Sequence, residues 1–169
     1  METHTVYRVM CMTKKLWKTI VIWVLLSEAV GLFAGFLTRD ATQMYSQMVE
    51  KPFLSPPGWV FPVVWSILYA LMGVGAGLVF ATAKTPQRDQ ALNLMVAQLV
   101  VNFFWPLLFF NAGAYGFAFL WLLLLLALVI WMTREFYKSV PLAAYLQIPY
   151  ILWLLFAAYL NAAVWYLNP

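Results

Sequence analysis

The sequence predicts an all-α membrane protein, a bundle of five transmembrane helices that forms a single domain over residues 1–169. Of the residues, 65% are apolar and 9% are charged, whereas a soluble domain carries about a quarter charged residues. Five apolar stretches are long enough to cross the hydrocarbon core, which takes about 20 helical residues. Most connections between them are short, which favours antiparallel neighbours.

The predicted spans, in order, are residues 19–37, 59–81, 91–110, 114–132 and 141–167. The second span tolerates Pro62 in its first turn, and the fifth opens with Pro141 in the same way. Pro106 and Pro149 are placed inside the third and fifth spans. Each should leave a backbone carbonyl four residues earlier without its helical partner, so both places should face protein or a wet cavity.

The longest predicted connection is the first loop, residues 38–58. Its second half contains three prolines, and each residue before a proline is pushed to extended geometry. The sequence therefore predicts a stiff, non-helical strap over residues 51–58, leading into the second span. The strap residues expected to act as a lid are Lys51, Pro52, Pro56, Pro57 and Gly58.

Basic residues cluster on one side of the predicted membrane. Eight lie on the side of the N-terminus and two on the other: Arg8, Lys14, Lys15, Lys18, Lys84, Arg88, Arg134 and Lys138 against Arg39 and Lys51. The positive-inside rule places the N-terminus in the cytoplasm, if the protein lies in a plasma membrane. Because the basic residues lie at span ends, the net charge of +4 does not indicate a nucleic-acid partner. A cleaved signal peptide at the first span is the alternative, although Glu28 fits poorly in its apolar region.

The sequence does not indicate a metal site or disulfide bonds. Cys11 is the one cysteine and His4 the one histidine, so we expect no disulfide framework and no metal site. The sequence also contains no paired carboxylates outside the loops and no phosphate-binding loop.

Three predicted helices carry faces on which aromatic, polar and small residues coincide. These are Phe61, Trp65, Tyr69 and Met72; Gln98, Asn102, Trp105 and Phe109; and Trp153, Ala157, Leu160, Asn161 and Val164. At about 1.5 Å rise per residue, Trp65, Asn102 and Asn161 lie roughly 9–12 Å below the membrane surface that carries the strap. The pattern predicts an aromatic pocket in the outer half of the bundle, suited to a flat, mostly apolar ligand with a polar edge.

Simpler interpretations stay open for each feature. Aromatic stripes commonly fill a core, and amides within spans commonly join helices. Glu28, near the middle of the first span, is either functional or a structural residue that is protonated or hydrogen-bonded, with Gln98 or Tyr145 as the candidate partner. Gly73 and Gly77 indicate close packing against a neighbouring helix or in a dimer.

These residues together resemble the translocator protein family, also called tryptophan-rich sensory proteins or peripheral benzodiazepine receptors (TspO/MBR). The resemblance covers nearly the whole chain in order. Its motifs are Lys51-Pro52, Pro56 to Phe61, Trp65, Leu68-Tyr69, Met72-Gly73, Asn102, Trp105-Pro106, Phe109-Phe110, Pro149-Tyr150, Trp153, Phe156-Ala157 and Leu160-Asn161.

The resemblance implies a five-helix bundle, often dimeric, that binds porphyrins and related tetrapyrroles, with benzodiazepine-type or sterol ligands in some members. The family's ligand cavity corresponds to Phe61, Trp65, Tyr69, Asn102, Trp105, Trp153, Ala157, Leu160 and Asn161. Members have been linked to light- and oxygen-dependent porphyrin breakdown and to tetrapyrrole or stress signalling.

Several positions depart from the family's pattern. Tyr45 and Leu54 stand where the strap of other members carries tryptophan, and Phe117 and Trp121 stand where animal members have tryptophan and an acid. The animal sterol motif needs a basic residue after the fifth helix, and residues 166–169 contain none, so the sequence does not support sterol binding. The short form resembles prokaryotic members.

The leading hypothesis is a tetrapyrrole-binding membrane protein that requires no cofactor, with a sensory, regulatory or protective role and a homodimeric state. The porphyrin or haem-type ligand would stack on Trp65, Tyr69 and Trp153, with Asn102 and Asn161 as hydrogen-bonding partners. If light-dependent breakdown occurs, the expected electron donor and candidate catalytic residue is Trp65 or Trp153. Alternatives are a transporter of tetrapyrroles or other amphipathic molecules, a light-dependent enzyme, and a scaffold with a filled cavity.

Overall fold

The computed structural model describes the backbone of residues 2–168 and the side chains of residues 15–168, so the side chains of His4 and Cys11 lie outside it. In order, the helices are α1 Glu2–Met48, α2 Val60–Phe80, α3 Pro86–Pro106, α4 Tyr115–Ser139, α5 Pro141–Tyr145 and α6 Ile148–Leu167. A π-helical turn, Leu107–Asn111, continues α3. In the described part of the chain, five segments are long and apolar enough to cross a membrane, with α5 and α6 forming one of them. The predicted all-α bundle of five spans is confirmed.

Helix α1 extends further than the sequence analysis expected. Residues 38–48, assigned there to the first loop, continue the helix to Met48. This stretch is polar but contains neither glycine nor proline. Its hydroxyls bond to the helix itself: Thr38 Oγ1 donates to the Ala34 carbonyl at 2.9 Å, and Thr42 Oγ1 to the Thr38 carbonyl at 2.8 Å. The loop prediction was wrong here because hydropathy falls at residue 38, whereas no helix-breaking residue occurs before Pro52.

The two prolines placed inside spans lie instead where helices change. Pro106 ends α3, and the π-helical turn follows it. The fifth span is interrupted at residues 146–147, so Pro149 falls in the first turn of α6, where its missing N–H costs little. At the break, the buried Gln147 amide donates to the carbonyls of Ala143 at 3.1 Å and Leu71 at 3.4 Å.

Close packing of α1 on α2 depends on two glycines. A Cβ atom added at Gly73 would collide with the backbone of Val24, and one added at Gly77 would lie 2.6 Å from Ile20 Cα. Of the two interpretations of this small-residue pair, the structure supports the neighbouring helix, because both glycines face α1.

The connection from α1 to α2 is non-helical, as the prolines of residues 51–58 predict. Ser55 N–H donates to the Pro52 carbonyl at 3.0 Å and forms a turn. The end of α6 holds the start of this connection: Asn168 Oδ1 accepts from Glu50 N–H at 3.1 Å, and Asn168 Nδ2 donates to the Glu50 carbonyl at 3.0 Å. The strap is therefore attached to the helix that carries Asn161.

Candidate ligand-binding site

A cavity of about 610 Å³ lies between α1, α2 and α3 in the half of the bundle nearer the strap, which we call the outer half. Its wall includes six of the residues predicted from sequence, namely Gly58, Phe61, Trp65, Tyr69, Asn102 and Trp105. We call it the main cavity. Its volume falls within the range of about 300–1,000 Å³ that is typical of small-molecule sites.

A second cavity of about 160 Å³ lies beneath the strap, between the end of α1, α3 and α6. We call it the strap cavity. Its predicted lining residues are Lys51, Pro56, Gly58, Phe61, Trp105, Ala157, Leu160 and Asn161. Phe61, Trp105 and Phe110 line both cavities, together with Thr42 and Gly58. The single hollow expected from depth is thus two adjoining cavities, with Trp65 and Asn102 on one and Asn161 on the other.

Pairs of aromatic rings line both cavities. Trp65 lies 5.5 Å from Tyr69, centroid to centroid, with the ring planes at 32°, so the two rings line the main cavity side by side. Trp105 stacks on Phe109 at 5.1 Å and 24°. Aromatic faces held by such contacts are rigid surfaces for a flat ligand.

Trp153 does not line either of these two cavities. Its ring meets the edge of Phe61 at 5.9 Å and 71°, and also packs beside Phe156. Its indole Nε1 is buried and has no hydrogen-bond partner among the described residues. Trp153 therefore contacts Phe61, which lines both cavities, but lines neither of them itself.

Asn102 is held by a buried hydrogen-bond chain. Tyr69 Oη donates to Asn102 Oδ1 at 2.7 Å, and Asn102 Nδ2 donates to Tyr150 Oη at 2.6 Å. Tyr150 Oη in turn donates to Gln98 Oε1 at 3.0 Å. Both amide atoms of Asn102 thus already have protein partners, so joining α2, α3 and α6 is its primary task.

Asn161 is engaged in a similar way. Its Oδ1 accepts from Trp105 Nε1 at 3.2 Å, and its Nδ2 donates to the Tyr115 carbonyl at 2.8 Å. These bonds tie α6 to α3 and to the start of α4, and they fix the indole of Trp105 in the shared wall. Each of the two asparagines predicted as ligand partners therefore has one protein partner on its amide oxygen and one on its amide nitrogen.

Helix α1 contributes a wall that was not predicted from the sequence. Gly31, Gly35, Thr38 and Thr42 all line the main cavity. Gly31 allows the Tyr69 ring to approach, since an added Cβ would collide with that ring, whereas a Cβ at Gly35 would meet no atom within 4 Å. The signal available in the sequence was this pair of glycines four residues apart, in a segment read only as a lipid-crossing span.

Glu28 also lies on the wall of the main cavity. Neither of the partners suggested from sequence reaches it: Gln98 bonds to Tyr150 Oη and to methionine sulfurs, and Tyr145 is 55% exposed. Among the described side chains, none donates a hydrogen bond to the Glu28 carboxyl. A carboxyl at this depth is a candidate for contact with a ligand.

Comparison with known proteins agrees with this architecture. The TspO/MBR family model matches residues 23–167. A human translocator protein is 37% identical over 144 residues, covering 83% of this chain and 85% of its own length. The tryptophan-rich protein TspO of Chlorobaculum tepidum is 34% identical over 159 residues, 89% of this chain and 96% of its own length. The TspO protein of Archaeoglobus fulgidus is 33% identical over 146 residues, 83% of this chain and 90% of its own length. The chain therefore belongs to the TspO/MBR family of multi-pass membrane proteins.

Proposed function

We propose that the protein binds a porphyrin or related tetrapyrrole in the main cavity and acts in a sensory, regulatory or protective role. The observation that carries the proposal is the cavity of about 610 Å³ with Trp65 and Tyr69 side by side on its wall. A flat, mostly apolar macrocycle gains both burial and ring stacking there. The bilayer is the second partner, since five apolar segments cross it.

The hydrogen bonds of the two asparagines make the proposal more specific. With the amides of Asn102 and Asn161 bonded to protein, recognition depends mainly on shape and stacking. The strap carries Lys51, whose Nζ donates to the Ser46 carbonyl at 2.7 Å and lies 5.7 Å from the centre of the Tyr45 ring. Lys51 and Arg39 are basic residues near the outer end of the cavities, and either is suited to a ligand carboxylate.

If light-dependent breakdown occurs, Trp65 is the better of the two electron donors proposed from sequence. It lines the main cavity, whereas the Trp153 indole packs against Phe61 and lines neither cavity. One electron would pass from the Trp65 indole to the photoexcited macrocycle, giving an indole radical cation and a macrocycle radical anion. Dioxygen would take the extra electron from the macrocycle and become superoxide. The indole radical cation would then regain its electron from the macrocycle, and the macrocycle radical cation left behind would combine with superoxide.

Transport of tetrapyrroles or other amphipathic molecules is the second candidate function. It is favoured by Glu28, an acidic side chain on the cavity wall at mid-membrane depth, since such residues mark substrate or ion pathways. The relatives named translocator protein carry transport in their names. Ligand flux in proteoliposomes that is lost in Glu28→Gln would establish it, and binding without flux would exclude it.

Titration of the purified protein with protoporphyrin, with tryptophan fluorescence quenching as the readout, tests the proposed binding. Trp65→Leu should weaken binding about tenfold, because a lost stacking ring contributes about 1.5 kcal/mol. Trp17→Leu is the matched control, since Trp17 is 66% exposed and lines neither cavity. Equal affinity of both variants would overturn the assignment of this wall to the ligand.

A further inference from the structure

A groove of about 570 Å³ lies at the opposite end of the bundle, on the outside of the last turns of α4. Its walls are Trp131, Tyr137, Tyr145 and Ile148, and its rim carries Arg134 and Lys138. We call it the inner groove. It shares none of its lining residues with the main cavity or the strap cavity.

The interruption of the fifth span shapes this groove. Because α5 ends at Tyr145 and α6 restarts at Ile148, the chain leaves a concavity beside α4, with the small, buried Ala144 lining it. The Tyr137 and Tyr145 rings meet edge to face across it, with centroids 6.1 Å apart at 78°. The four wall side chains are 47–55% exposed, so an apolar surface faces the bilayer here.

Within the described part of the chain, one of the two basic residues at the rim is paired with a carboxylate and the other is not. Lys138 Nζ bonds to Glu135 Oε1 at 2.8 Å, and Gln87 donates to the other oxygen of that carboxylate at 3.3 Å. Arg134 is exposed, and no carboxylate pairs with it among the described side chains. A planar guanidinium beside an apolar groove suits a ligand that joins a phosphate to hydrocarbon.

We propose that the inner groove binds an anionic phospholipid, with its phosphate on Arg134 and an acyl chain along the aromatic wall. The end of α4 lies on the side that carries eight of the basic residues by the predicted topology. By that predicted topology the groove faces the cytoplasmic leaflet, whose anionic lipids attract basic residues, and basic pockets between helices on that side bind such headgroups. Charge complementarity therefore selects a lipid over a second protein copy.

Native mass spectrometry of the full-length protein, titrated with phosphatidylglycerol or phosphatidylcholine, tests this site. We expect tighter binding of phosphatidylglycerol, weakened about fivefold in Arg134→Gln and within about twofold of wild type in Arg134→Lys. Lys84→Gln is the control, because Lys84 is an exposed cation on the same side but lies outside the groove. It should leave lipid affinity unchanged.

Three outcomes would overturn the proposal. These are equal affinity for the two lipids, equal loss in Arg134→Gln and Lys84→Gln, and cross-linking of a second copy across Tyr145 that excludes lipid. Protoporphyrin affinity of Arg134→Gln serves as the folding check, since Arg134 lines neither the main cavity nor the strap cavity.

Discussion

The outer and inner halves of this bundle use similar side chains for opposite purposes. In the inner half, Val129, Met132 and Phe136 of α4 are fully buried, and Gly75 of α2 packs against the Gln147 amide. In the outer half, the Trp65 and Tyr69 rings line a void, and Gly35 faces open space. The bundle is therefore closely packed in one half and leaves a cavity in the other. Residue type alone does not decide whether a side chain packs in the core or lines a cavity. The residues that face it on the neighbouring helix decide this.

The largest expected effect tests the closely packed half. Gly73→Leu should lower the free energy of unfolding by about 3 kcal/mol or more, because its side chain would meet the backbone of α1, which cannot yield without parting the two helices. Denaturant or thermal unfolding in detergent measures it. Gly35→Ala is the matched control and should change stability little, since its Cβ meets no atom within 4 Å. Similar stabilities for the two variants would remove the contrast between the halves.

A smaller effect tests the boundary between the halves. Asn102→Leu removes the acceptor of Tyr69 and the donor to Tyr150, so stability should fall by about 1–2 kcal/mol. Asn111→Leu, which loses one exposed bond to the Leu37 carbonyl, is the control and should cost about 0.5 kcal/mol or less. Ligand affinity of Asn102→Leu should stay within about threefold of wild type. A large loss of affinity without a loss of stability would make Asn102 a ligand contact instead.

Hydropathy and proline positions predicted much of the fold, because crossing a bilayer constrains length and composition strongly. They did not predict that α1 runs on to Met48, since the polar residues there bond back to their own helix. Depth along the helices placed Trp65 and Asn161 in the half of the bundle that contains the two cavities. It could not identify the direction in which a side chain points, and for that reason Trp153 was predicted to line the pocket, whereas its ring packs against Phe61 and lines neither cavity.

The contribution of α1 was missed because part of its wall is formed by residues without side chains. A wall made of Gly31 and Gly35 is a place where side chains are lacking, and a search for aromatic or polar residues passes over it. The π-helical turn after Pro106 and the break before Pro149 also depend on how neighbouring helices meet the chain, which spacing alone does not record.

The most direct test of the ligand site fills the main cavity from α1. Gly35→Trp places an indole in the space beside Trp65, whereas Leu25→Trp adds the same ring to a position of α1 that is 62% exposed and lines neither cavity. Both variants should fold. Protoporphyrin titration should show affinity reduced at least about tenfold in Gly35→Trp and unchanged in Leu25→Trp. Wild-type affinity in a folded Gly35→Trp protein would contradict the account, because the ligand would then have to bind elsewhere.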